Sequence, residues 1–191
     1  MNFDKQKQIK LALRFSYEGQ NYKGLVIQSN VEATVENRLF EALRKIFLID
    51  PEGPIYKARY TRCGRTDKGV SALGQVCALY VRKLQDDDYS QRLNRVLPSD
   101  IRILGHCEVS ASFDARFSCI FREYNYFFFK NQMDVPLMAK SAQKFIGLHD
   151  FRNFCKKDDA MIGVTPEEEQ NFLRRIFSFK TVLVHKNQQC P

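Results

Sequence analysis

No apolar run in this 191-residue chain approaches the roughly 20 residues that a bilayer-spanning helix needs. The opening residues, Met-Asn-Phe-Asp-Lys-Gln-Lys-Gln, hold no apolar stretch of the secretory type. The six cysteines (Cys63, Cys77, Cys107, Cys119, Cys155, Cys190) are scattered, and no two form a Cys-x-x-Cys pair. They read as reduced thiols, mostly core packing, in a cytoplasmic or nuclear protein without a membrane partner. The three histidines, His106, His149 and His185, lie far apart, and no His/Cys group has the spacing of metal ligands. Neither a metal nor a cofactor is expected. Internal repeats and low-complexity tracts are also absent.

Positive charge, by contrast, is in excess. Lys+Arg 30 against Asp+Glu 22 gives +8, and 44% of residues are hydrophobic. Such a chain can bury a core, as one large domain or two small ones. Its charge favours an anionic partner, with nucleic acid first, although many soluble proteins are this basic without one.

Ile9, Leu11, Leu13, Phe15 and Tyr17 alternate with Lys10, Ala12, Arg14 and Ser16, which predicts a strand with one buried face. Thr34 is a good N-cap, and Val35, Leu39, Ala42, Leu43, Ile46 and Phe47 follow on one helical face that should stop at Asp50-Pro51. Ile55 to Thr61 reads as a strand, and Gln75 to Arg82, apolar on both faces, as a central one. A helix beginning at Asp86-Asp87-Asp88 and stopped by Pro98 leads into a strand on which Ile101, Ile103, Cys107 and Val109 alternate. The order β, α, β, β, α, β is ferredoxin-like. The fold class expected is therefore α+β, an antiparallel sheet with helices on one face over residues 1–113, followed by the start of a second α+β half over 114–191.

Between two of these strands lies Arg62-Cys63-Gly64-Arg65-Thr66-Asp67-Lys68-Gly69. It sets one carboxylate, Asp67, among the cations Arg62, Arg65 and Lys68, with a glycine at either end. Nearby cations favour the charged form of a carboxylate, which then serves as nucleophile or base. The same cations suit a polyanionic substrate. Asp-Lys-Gly is equally good chemistry for an ordinary surface turn. The segment is not a Walker A loop, because Val70-Ser71 stands where Lys-Ser/Thr is required.

The longer run Thr61 to Ala72 resembles the catalytic signature of the TruA family of tRNA pseudouridine synthases. Tyr17-Glu18-Gly19, Tyr22-Lys23-Gly24 and Gln28 are similar to that family's opening pattern, with Leu25 where an aromatic is usual. Asn94 to Ile101 and Asp114 to Ser118 resemble further family segments in the same order. Gly147 to Asp158 resembles the eukaryotic branch that modifies tRNA positions 38 and 39. The resemblance implies a TruA-type fold, an isomerase acting on the tRNA anticodon stem-loop, Asp67 as catalytic residue with Arg65 beside it, and Tyr124 stacked on the target uracil. Arg122 matches a basic position two residues earlier, and Arg62, Lys68 and Arg122 would meet phosphates. Dimerisation is common in the family, and no residue pattern here addresses it.

Phe121 to Phe129 is the most aromatic stretch and is expected to form a strand, with Tyr126, Phe127, Phe128 and Phe129 as sheet core. Leu137, Met138, Ser141, Ala142, Phe145 and Ile146 make a helical face closed by Gly147. Asp158 to Gln170 reads as a mobile polar loop, and Ile176 to Val184 as a last strand. Family members continue into a third motif, whose Arg pairs with the catalytic Asp, and no segment here matches it. The chain is therefore expected to be a fragment of a longer enzyme, poorly stable or inactive alone. Two rivals remain: a non-catalytic RNA-binding module that keeps the fold, and an acylphosphatase-type enzyme on a ferredoxin-like scaffold.

Overall fold

In the computed structural model the described residues are 3, 7–155 and 172–184. The chain divides into two compact units, Met1–Glu123 and Tyr124–Pro191. The expected mobile loop at Asp158 to Gln170 lies outside the described residues.

The first unit begins with strand β1, Gln8–Tyr17, whose Ile9, Leu11, Leu13, Phe15 and Tyr17 are all buried as the alternation predicts. Helix α1, Val35–Lys45, starts at the Thr34 cap, where Thr34 Oγ1 accepts from Asn37 N at 3.3 Å. Strand β2 is only Thr61–Arg62, β3 is Ala72–Arg82, helix α2 is Tyr89–Asn94 and β4 is Ile101–Glu108. The sheet runs β2-β3-β1-β4, with every neighbouring pair antiparallel. Val35, Leu39 and Leu43 of α1 and Tyr89 and Leu93 of α2 join Leu11, Phe15, Leu79 and Ile101 in one core, so both helices cover the same face. The other face carries a small cluster, where Ala12 and Ala78 are covered by Ala115.

Several boundaries differ from the sequence expectation. Helix α1 ends at Lys45 rather than near Asp50. Phe47 turns left-handed at φ 58°. Its N–H bonds Arg44 O at 2.9 Å, while Leu48 N bonds Leu43 O at 2.9 Å. This is the Schellman pairing that closes helices, here with Phe where Gly is usual. The stretch expected as a strand from Ile55 is a 3-10 turn, Ile55–Ala58, and only its end pairs with β3.

In β4 the pairing jumps from Arg14↔Gly105 to Phe15↔Ile103. The extra residue, Leu104, is a bulge, and a bulge flips the alternation beyond it. Cys107 consequently pairs with Ala12 and is exposed instead of sharing the core with Ile103. Cys155 is exposed as well, and Cys77 is the buried cysteine of the described set. Core packing therefore does not describe most of the described thiols.

The second unit, taken alone, contains helix α3, Val135–Ala142, capped by Asp134 Oδ1 accepting from Leu137 N at 2.9 Å. A 3-10 turn at Gln143–Phe145 precedes β5, Gly147–Asp150, which pairs antiparallel with β6, Leu173–Ile176. Phe145 stacks with Phe151 and Phe179. His149 Nε2 donates to Ile146 O at 3.0 Å, a local structural bond.

Residues 119–130 form no strand, and Tyr126, Phe127 and Phe129 are exposed rather than core. Residues 177–184 are likewise irregular, so the last strand among the described residues is the shorter segment just before them. Both stretches have strand-like composition. Composition does not make a ladder without a hydrogen-bonded neighbour, and no described strand pairs with either one.

Candidate active-site loop

The turn from β2 to β3, residues 63–71, is tied down almost residue by residue. Cys63 N donates to Val76 O at 2.9 Å. The buried Gln75 reaches back to the loop. Its Nε2 donates to Gly64 O at 3.3 Å, and its Oε1 accepts from the Cys63 thiol at 2.7 Å. Arg122 donates from Nε to the Cys63 carbonyl at 3.0 Å and from a terminal nitrogen to the same oxygen.

The segment 17–25 holds the opposite flank. Tyr17 Oη and Thr66 Oγ1 are 2.6 Å apart. Leu25 N donates to Thr66 O at 3.1 Å, Gly69 N to Tyr22 O at 3.2 Å and Gly19 N to Ser71 Oγ at 2.9 Å. Tyr22 is fixed in turn by its hydroxyl, which donates to Asp100 Oδ1 at 2.8 Å. Burial pushes the Tyr22 phenol up, and the Asp100 carboxylate pushes it further. Burial raises the Tyr17 phenol too.

This closeness explains two of the glycines in the opening pattern. A Cβ on Gly19 would lie 1.9 Å from the Val70 carbonyl oxygen. Gly24 has φ +115°, and a Cβ there would meet Thr66 O at 3.0 Å. Only a residue without a side chain lets the two segments approach this far.

Arg62, expected to meet phosphate, is paired with Glu36 on the first turn of α1. Arg62 Nε is 2.5 Å from Glu36 Oε1, and a second nitrogen is 3.2 Å from Oε2. Glu36 is 1% exposed, and removing one partner of such a pair costs about 3–5 kcal/mol. The Arg62 guanidinium also lies over the Tyr60 ring, 5.3 Å from its centre. Glu36, Gln75, Tyr17 and Asp100 were not singled out from sequence as supports of this loop. One signal was present for Glu36: it shares a helical stripe with Phe40 and Leu43, where a charge is out of place unless it is partnered.

The tip is different. Arg65, Asp67 and Lys68 are exposed, and no described residue makes a hydrogen bond or ion pair with their side chains. Lys68 lines an open groove with Lys23, Gln28 and Asn37. Among the described residues, the arrangement offers one unpaired carboxylate between two unpaired cations on a loop held at both flanks. Tyr124, in the second unit, is 78% exposed.

Comparison with known proteins gives these features a context. No family profile matches the chain. It is 43% identical to the human tRNA pseudouridine(38/39) synthase across 91% of its own length and 38% of that protein. It is 39% identical to the Saccharomyces cerevisiae tRNA pseudouridine(38/39) synthase across 99% of its length and 45% of that protein. A Methanosarcina acetivorans tRNA pseudouridine synthase A is 40% identical across 85% of the chain. The chain is a relative of the TruA-family tRNA pseudouridine synthases. It is of the eukaryotic type, and it spans about two fifths of the length of the eukaryotic relatives named above. No helix among the described residues is long and apolar enough to cross a membrane. The TruA relationship covers both the 17–25 segment and the 63–71 loop that the hydrogen bonds join.

Proposed function

We propose that the chain carries the catalytic loop of a tRNA pseudouridine synthase acting in the anticodon stem-loop, with positions 38 and 39 as targets. The observation that carries this reading is the exposed Asp67 carboxylate between Arg65 and Lys68, unpaired among the described residues, on a loop anchored at both flanks. The relatives' names supply the substrate class. On this reading the β2-β3-β1-β4 unit is a ferredoxin-like half of a TruA-type fold, and residues from 114 onward begin a second, catalytic half. A tRNA substrate fits work in the cytoplasm or nucleus, and the homodimer common in the family is carried over on resemblance alone.

The reaction is an isomerisation. The bond from uracil N1 to C1′ breaks, the base turns, C5 bonds C1′, and the C5 proton is released as N1 gains one. No electrons leave the nucleoside. A stacked uridine must first swing out, which costs a few kcal/mol. Arg65 fills the gap it leaves. Asp67 acts on the sugar or the base, as nucleophile or as base at C2′, and Tyr124 stacks on the loosened uracil. Lys68 meets backbone phosphate. Arg62 and Arg122 already hold protein groups, so their share in this reading is to keep the loop in place.

The experiment is Asp67→Asn, with carbodiimide mapping of pseudouridine in tRNA. Isomerisation is expected to vanish while tRNA affinity changes less than about threefold, because Asp67 is not a phosphate contact. Unchanged turnover in Asp67→Asn would sink the assignment.

A further inference from the structure

We propose that Glu36 is the positioning residue of the Asp67 loop. This rests on the reading of Asp67 given above and deepens it.

Glu36 is the second residue of α1, where the helix dipole favours a negative charge. Its carboxylate is 1% exposed and gathers three hydrogen bonds. Two come from Arg62, at 2.5 and 3.2 Å. The third comes from Ile27 N, which donates to Oε2 at 3.1 Å. One carboxylate thus grips three pieces of chain: the start of α1 that bears it, the connection after β1 through Ile27, and the root of the catalytic loop through Arg62. Arg62 stands five residues before Asp67 and next to Cys63, whose carbonyl takes both donors of Arg122. The Arg62 guanidinium also lies over the Tyr60 ring, 5.3 Å from its centre.

A bidentate Arg–carboxylate pair fixes direction as well as distance. Lysine could supply the charge but not the fork. Buried and nearly inaccessible, Glu36 touches no nucleotide. Its effect on chemistry passes through the loop root, which decides where Asp67 stands. Displacements of about 1 Å at a reacting group can lower a rate about 100-fold.

The test compares Glu36→Gln and Arg62→Lys with the unaltered protein by hydrogen exchange and by steady-state turnover of tRNA. Both variants keep the side-chain volume and one hydrogen bond but lose the paired charge or the fork. The expected result is faster exchange of the loop amides 62–71, by at least 10-fold, with the β1 and β3 amides unchanged. Turnover per folded enzyme should fall at least 10-fold while KM moves less than threefold. Exchange that quickens evenly across the sheet, or kcat within twofold of the unaltered enzyme in both variants, would mean that Glu36 merely stabilises the fold. Should Glu36→Gln fail to fold, Arg62→Lys decides by the same measures. Exchange needs no turnover, so this arm stands even if Asp67→Asn proves the synthase reading wrong.

Discussion

The hydroxyl of Tyr17, at the end of β1, lies 2.6 Å from Thr66 Oγ1, next to Asp67 in the chain. The first strand of the fold is thereby joined to the residue beside the proposed catalyst. Tyr17 is 3% exposed, and a neutral buried hydrogen bond contributes about 1 kcal/mol. Tyr17→Phe should lower unfolding free energy by about that amount, read as an earlier urea midpoint. In the synthase it should also lower kcat more than it raises KM.

Tyr17 and Tyr22 together contribute to an alkaline limit. Both Tyr17 and Tyr22 have their phenols pushed up, burial being the larger cause in each. A group whose folded value lies above its unfolded one, about 10 for Tyr, favours the native state while both forms are protonated. That advantage is complete below about pH 10 and shrinks as pH rises toward the folded value. The urea midpoint should therefore begin to fall above about pH 8.5, where the buried Cys77 thiol, also pushed up by burial, starts to count, and fall more steeply above about pH 10 as the phenols join it. Tyr22→Phe should flatten the alkaline fall.

Phe47 occupies the left-handed closing position of α1 at φ 58° and is 47% exposed. An L side chain there costs about 1–2 kcal/mol in local energy, which Gly avoids. Gly also gives the unfolded chain more freedom, which offsets part of the gain. Phe47→Gly is expected to raise stability by about 0.5–1 kcal/mol, seen as a higher melting temperature. A lower one would mean that the Phe47 ring packs usefully.

Arg65 and Lys68 are the cations of the tip, and no described residue pairs with either. If they contact tRNA phosphate, replacing either by Ala should weaken binding and reduce the slope of log affinity against log salt by about 0.7–0.9 per residue. Arg62→Ala should leave that slope unchanged in the fraction that folds, since its guanidinium is already held by Glu36.

Much of the first unit was legible because its strands bury one face in strict alternation. Ile9 to Tyr17 is the plainest case, and Thr34 announced its helix through cap chemistry. What escaped was set by single backbone events. The bulge at Leu104 reversed the faces beyond it and exposed Cys107. The left-handed Phe47 ended a helix whose apolar pattern ran on. Phe121 to Phe129 read as a strand on composition, yet a strand is defined by its neighbour, which composition does not reveal. At the site, the flanking charges alone fitted a surface turn as well as a reactive carboxylate, and it was the family resemblance that singled out Asp67. The side chains that hold the loop did not stand out, because the fold brings Tyr17, Glu36 and Gln75 to partners 49, 26 and 11 residues away in sequence, and only the charge on the apolar stripe of α1 hinted at the meeting.

The anchored loop beneath Asp67 has a corollary for assembly of the site. Hydrogen bonds from both flanks fix where the carboxylate stands before anything meets it. No described residue pairs with it, so any counter-charge comes from substrate or from chain outside the described residues.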